Sequence, residues 1–226
     1  MNLYLAPHEL PPADSDFVTG RYRGDRSFSY GEPSLANSWH LTIGELVVMF
    51  AHTVLTGYIF QAAYSSGIPF RVVTHPIDTR TVDEKRLALG PTYEGDVAKT
   101  IVLTDGSHLY VIVTKGNDRI DRKTLASLLD MSKREAKGLY YASPSDLAEL
   151  DFQNGTASPL IERRMFYGNG GPVKVVVFDD GLCQESSLHD YPLLDTRTSF
   201  QINTQRLLCI LSEVLPPNSL IRANVI

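Results

Sequence analysis

Two short stretches hold the residue types from which a reactive site could be built. Residues 97–103 read Val-Ala-Lys-Thr-Ile-Val-Leu, which sets Lys99 at the mouth of an otherwise apolar strand. Residues 154–160 read Asn-Gly-Thr-Ala-Ser-Pro-Leu, a glycine-led turn locked by Pro159, with Thr156, Ala157 and Ser158 small enough to leave backbone N–H groups accessible. A fixed cation facing a ring of donors suits a substrate with an anionic group and a polarised carbonyl, as in the cleavage of an ester. Taken singly, each part has an ordinary structural reading. A lysine beginning a buried strand snorkels to the edge, a serine before proline punctuates a turn, and Asp195-Thr196-Arg197-Thr198 before a strand is a loop.

Other chemistries lack their signatures. There is no G-x-S-x-G, Walker, H-E-x-x-H or dinucleotide-binding motif, and the six histidines are scattered without ligand spacing. His52 in particular sits among apolar neighbours, as a satisfied core histidine would. Cys183 and Cys209 form neither a C-x-x-C pair nor a disulfide framework, so a reducing, cytoplasmic setting is expected, with no metal site and no cofactor. Gly168-Asn169-Gly170-Gly171-Pro172 precedes a strand instead of opening a helix, which favours a hairpin turn over a phosphate loop.

With 226 residues, 43% hydrophobic and 21% charged, the chain has the composition of an ordinary globular protein. The first residues carry no basic cluster of the kind that opens a secretory signal. Net charge is −5, but it is unevenly spread: residues 115–137 hold seven basic residues (Lys115, Arg119, Arg122, Lys123, Lys133, Arg134, Lys137) against four acidic ones. A solvated, salt-bridged helical face accounts for this run, and the run also permits contact with a nucleic acid.

Residues 1–41 are an irregular, proline-bearing extension. Residues 42–64 read as one long apolar helix opened by the capping-box pair Thr42 and Glu45. Glu45, His52 and Gln61 interrupt it and no basic cluster flanks it, so a buried or interface helix is expected in place of a membrane span, with self-association through 42–64 as a consequence. After Gly67 short strands and helices alternate. Strands are expected at 70–74, 100–103, 109–114, 139–142 and 173–178, and again at Phe200 and Ile202. Helices are expected at 82–89, 121–130, from Ser132, at 145–150 and at 205–214. The mixture predicts an α+β or mixed α/β domain with a central, mostly antiparallel sheet flanked by helices.

In chain order, several of these stretches are similar to a known family. Gly67-Ile68-Pro69-Phe70, Thr74-His75-Pro76, Thr81-Val82-Asp83-Glu84 and Val97-Ala98-Lys99-Thr100 resemble the first half of the YbaK-like domain. Leu139-Tyr140-Tyr141-Ala142 with Asp146-Leu147, Gly155-Thr156-Ala157-Ser158-Pro159 and Tyr191-Pro192-Leu193-Leu194-Asp195-Thr196-Arg197-Thr198 resemble its second half, including a G-x-x-x-P loop. The family comprises aminoacyl-tRNA deacylases and the editing insertion of bacterial prolyl-tRNA synthetases. The likeness spans residues 66–216, with 217–226 left as a tail. Asp195 stands where some members carry asparagine, and Lys99-Thr100 resembles one branch of the family while the Pro-Leu…Thr stretch resembles another.

The resemblance implies hydrolysis, in trans, of the ester joining a wrongly attached amino acid to the tRNA 3′ end. Lys99 would be the functional lysine, with Gly155 and Ser158 beside it. Thr100, Thr156, Ala157, Pro159, His75, Asp195 and Thr198 would line the substrate. The implied partners are the tRNA acceptor end and an aminoacyl-tRNA synthetase. Two alternatives remain at this stage: a catalytically silent binding module acting through its N-terminal helix, and a hydrolase of another small aminoacyl ester.

Overall fold

Two apolar runs, β4 (Leu109–Lys115) and β6 (Val173–Asp179), lie side by side in parallel and form the spine of the molecule. Along β4, Val111 and Val113 face one hydrophobic cluster while Tyr110 and Ile112 face the other. With both faces covered, strands lose the polar–apolar alternation of a half-exposed sheet and read as continuous valine and isoleucine. This is the computed structural model of the chain. It describes residues 37–39, 59, 68, 70–74, 77–90, 96–116, 118–184, 188–193 and 195–226. The helix expected over 42–64 lies outside the described residues apart from Ile59, which is helical and fully buried, and His75 lies outside them too.

The remaining strands are β1 (Asn37–Trp39), β2 (Phe70–Thr74), β3 (Asp96–Thr104), β5 (Tyr140–Tyr141), β7 (Leu188–Leu193), β8 (Asp195–Asn203) and β9 (Leu220–Ala223). With β4 and β6 they form, among the described residues, one nine-stranded sheet in the order β1-β2-β8-β7-β3-β4-β6-β9, with β5 attached to β3. Among the described strands the sheet is mostly antiparallel, as expected, with a parallel minority. Five pairings are antiparallel, whereas β3–β7, β4–β6 and β6–β9 are parallel. Each parallel pair is joined by a long connection, as parallel geometry requires.

Helices cover the faces. Leu207, Ile210 and Leu211 of the last helix, α6 (Thr204–Val214), sit in one cluster, and Leu125 of α2 (Arg122–Leu128) sits in the other. Local signals set the helix ends. Thr81 caps α1 (Val82–Leu89) and Ser132 caps α3 (Lys133–Gly138), each in a capping box with a glutamate three residues on. Ser143 caps α4 (Pro144–Ala148), with Pro144 at its first position, and Asn203 caps α6.

Several expectations are corrected. Strand β3 begins at Asp96, so Lys99 is its fourth residue and not its first. The glycine run at 168–172 makes no hairpin. Tyr167–Asn169 is a 3-10 turn, Gly170 adopts φ +88, and the chain then enters β6 parallel to β4. Residues 217–226 are more than a tail, because β9 pairs with β6 and Asp179 Oδ1 accepts a hydrogen bond from Val225 N at 3.1 Å. A short helix, α5 (Asp180–Gln184), and strand β7 were not foreseen. Among the described residues, no helix is long and apolar enough to cross a membrane.

Candidate functional site

Among the described strands, one edge of β3 is only partly paired. Strand β3 pairs with β7 only at Asp96 and Val97, and with β5 only at Leu103 and Thr104. Between those pairings, β4 is its only partner among the described strands. A cavity of about 370 Å³ opens at this seam, at the small end of the range for ligand pockets. One wall is Val97 to Ile101 of β3. The others are Thr79 to Val82 with Lys85, then Gly155 and Ala157, and Pro192 and Thr196.

The first of these other walls is stapled in place. Thr79 donates from both its N and its Oγ1 to the Thr196 carbonyl at 3.0 Å. The Asp78 carboxylate accepts Arg197 Nε at 2.9 Å and Thr196 Oγ1 at 2.7 Å. Hydrogen bonds from Arg197 and then Thr196 hold the Asp78 carboxyl down at about 2. The loop before α1 is thereby fixed to β8, and the first turn of α1, positive by its dipole, faces the cavity.

The loop at 155–159 is fixed from the other side. Gly155 adopts φ +89, and a Cβ there would come within 2.8 Å of Arg80 Cα, so both the turn and the close approach require glycine. Thr156 is buried. Its Oγ1 accepts from Gln153 N at 2.8 Å and donates to Gln153 O at 3.1 Å, which closes the turn. Ser158 is buried as well, and its Oγ accepts from Leu160 N at 3.3 Å. Both hydroxyls are therefore occupied within the loop, and neither residue lines the cavity, nor does Pro159.

Of the residues singled out in the sequence, Lys99, Thr100, Gly155 and Ala157 meet in the cavity. Half-buried Lys99 donates from Nζ to the Asp118 carbonyl at 2.9 Å, which steers the ammonium while leaving it two further protons to donate. The Thr100 hydroxyl is buried with no hydrogen-bond partner among the described residues, a costly arrangement. Thr198 is buried on β8 outside the lining, and Asp195 is described only as a backbone position in β8.

Sequence reasoning missed Lys85 and what stands behind it. Lys85 Nζ lies 3.1 Å from Asp190 Oδ2, their side chains 8% and 0% exposed, and Ser199 Oγ donates to Asp190 Oδ1 at 2.6 Å. In the string Asp83-Glu84-Lys85-Arg86 nothing marks one lysine as buried. Nor does Asp190, within Leu188-His189-Asp190-Tyr191, stand out in the sequence as a buried acid. Beside the paired Lys85, the lining carries two further cations, Arg80 and Lys99, and no carboxylate among the described residues. Nor do those residues hold a group of three or more His, Cys, Asp and Glu side chains placed as metal ligands.

No protein-family model and no curated protein sequence matches the chain. Solved structures do. The hypothetical protein APE2540 superposes with a TM-score of 0.53 at 17% identity, covering 74% of this chain and 98% of its own. A scaffold protein from epitope backbone grafting by computational design gives 0.50 at 18%, covering 76% and 97%. A "putative trans-editing enzyme for prolyl tRNA synthetase" gives 0.49 at 21%, covering 71% and 93%. At these identities, what the chain has in common with the first two is the fold.

Proposed function

We propose that this protein is an aminoacyl-tRNA deacylase that acts in trans on mischarged tRNA. The observation that carries this reading is the composition of the seam cavity, in which Arg80 and Lys99, beside the Lys85–Asp190 pair, face the backbone of a glycine loop with no carboxylate among the described lining residues. The ordered likeness of residues 66–216 to the YbaK-like domain supplies the substrate class. An aminoacyl ester is already activated, so orientation and charge stabilisation supply most of what its hydrolysis needs.

In this mechanism Lys99 holds a phosphate or ribose oxygen of the terminal nucleotide as a point charge. The N–H groups of the loop around Gly155 and Ala157 face the ester carbonyl as its oxygen gains charge. Water, oriented by a neighbouring terminal hydroxyl of the tRNA, attacks the carbonyl carbon and gives up its proton. The bond to the ribose oxygen breaks, that oxygen takes a proton, and free amino acid and tRNA leave. Selection among amino acids comes from pocket volume, where one methylene is worth about 1–3 kcal/mol.

The test is a panel of aminoacyl-tRNAs treated with the full-length protein and its Lys99→Ala variant. At least one ester is expected to be cleaved, with a loss of about a hundredfold in the variant, the scale of removing one transition-state donor. The variant also frees the Asp118 carbonyl, at a cost of about 1 kcal/mol that a thermal melt will register without loss of the fold. Residual activity within about threefold of wild type would overturn the role of Lys99. Cleavage of no ester in the panel would leave the binding-module reading in its place.

A further inference from the structure

Tyr141 is 63% exposed, a large ring left in water on a two-residue strand. It pairs directly with Leu103, so the two side chains share a face of the sheet with Ile101 and Lys99, every second residue of β3. The segment entering α2 runs along that same face. At one end the Asp118 carbonyl accepts from Lys99 Nζ at 2.9 Å. At the other, the Arg122 guanidinium lies over the Tyr141 ring, 5.1 Å from its centroid, while Arg122 Nη1 donates to the Leu139 carbonyl at 3.2 Å. The ring and its covering cation are thus held by β3, α2 and the Leu139 backbone together, about four strand residues (~13 Å) from Lys99.

Residues 118–123 hold three cations, Arg119, Arg122 and Lys123, against two carboxylates, Asp118 and Asp121. Arg119, Arg122 and Lys123 are exposed. Of the nearby acids, Asp121 is engaged as the cap of α2, accepting Lys123 N and Thr124 Oγ1 at 2.9 and 2.8 Å. Exposed aromatic faces beside arginines along a positive track are how proteins bind single-stranded nucleic acid: every base has a face to stack, and the cations follow the phosphates.

We propose that Tyr141 and Arg122 form a stacking platform for the unpaired 3′ end of an RNA, leading its terminal nucleotide along the open edge of β3 between β5 and β7 to Lys99, since Leu103 and Ile101 on the shared face are packed under α2. The proposal rests on the deacylase reading for what happens to that nucleotide, but the platform has its own observable. Full-length protein is titrated into a fluorescently labelled single-stranded RNA of about eight nucleotides, within the range of single-strand sites, and into a blunt RNA duplex.

Tyr141→Ala is expected to weaken single-strand binding about tenfold and Tyr141→Phe less than twofold, because the ring and not the hydroxyl stacks. Arg122→Gln is expected to weaken it several-fold and to flatten its salt dependence. Duplex binding should not respond to Tyr141. Unchanged single-strand affinity in Tyr141→Ala, equal losses in the Ala and Phe variants, or no single-strand binding by the wild type would each overturn the platform. Running the same variants against an aminoacyl-tRNA separates the two ideas. Ring-dependent RNA binding without ester cleavage keeps the platform and removes the deacylase. Cleavage with KM and RNA affinity indifferent to Tyr141 keeps the deacylase and removes the platform.

Discussion

Strands β4 and β6 and the seam between β3 and β7 belong to one sheet, yet they are built on opposite terms. In the first pair, Val111, Ile112, Val113, Val176, Val177 and Phe178 are wholly buried and pack on apolar neighbours on both faces. At the seam, burial falls on polar groups instead: Lys85 against Asp190, Ser199 on Asp190, and Thr100 with its unmatched hydroxyl. An apolar core of the first kind gives stability without specificity, since any well-packed hydrophobe serves. Buried charge of the second kind is poor value for stability alone. Its location beside a cavity lined by cations points to a site whose polarity is maintained at the expense of packing.

The strongest way to break that contrast is at Asp190. Asp190→Ala strands Lys85 in a buried position and is expected to cost about 3–5 kcal/mol, read as a shift in the urea midpoint. The double variant Lys85→Met with Asp190→Leu removes both charges. It should recover most of that stability while any ester cleavage falls, which would separate folding from function at the seam. Recovery of activity along with stability would show that the pair serves packing only.

Gly155→Val tests the opposite wall. The new side chain meets the Arg80 backbone and forces a left-handed φ on a β-branched residue, so a loss of about 1–3 kcal/mol is expected from overpacking. Activity should fall further than stability does, because the loop and the Arg80 wall move together. A variant as stable and as active as wild type would mean that the loop does not shape the cavity.

The smallest effect should come from the staple at Asp78. Its carboxyl is held down at about 2, so its share of stability is fully present above the ordinary carboxylate pKa near 4 and fades as pH falls from about 4 to 2. Because the group is exposed, the effect should appear as local loosening of residues 77–81, measured by hydrogen exchange. Asp78→Asn should remove the pH dependence of that exchange, and an identical pH profile in both proteins would discard the staple.

Much of the framework is legible before folding. The bounds of α1 follow from Thr81 and Glu84, those of α3 from Ser132 and Glu135, and the start of α6 from Asn203, because caps act through neighbours three residues away. The buried strand at 173–178 reads directly from its apolar run, which the exposed Lys174 interrupts once. Lys99 and Gly155 stand out for a related reason: a lysine in an apolar strand and a glycine before a proline are local anomalies.

Strand order is a different matter. That β7 lies beside β3, and that the edge of β3 away from β4 is left open from Ala98 to Ile101 among the described strands, depends on a pairing between segments about ninety residues apart, for which no local rule exists. The roles of individual side chains divide in the same way. By sequence Lys85 is one charge among four on a short helix, and only the arrival of β7 beneath that helix turns it into one half of a buried ion pair. Ser158 and Thr156 moved the other way, from site candidates to the hydrogen bonds that close their own turn. The sequence by itself determined helix ends, buried runs and the two local anomalies, because those rest on contacts within a few residues. Tertiary structure alone decided which charges are buried, which hydroxyls are occupied and where the sheet stays open, because each of these is set by what a distant segment places alongside.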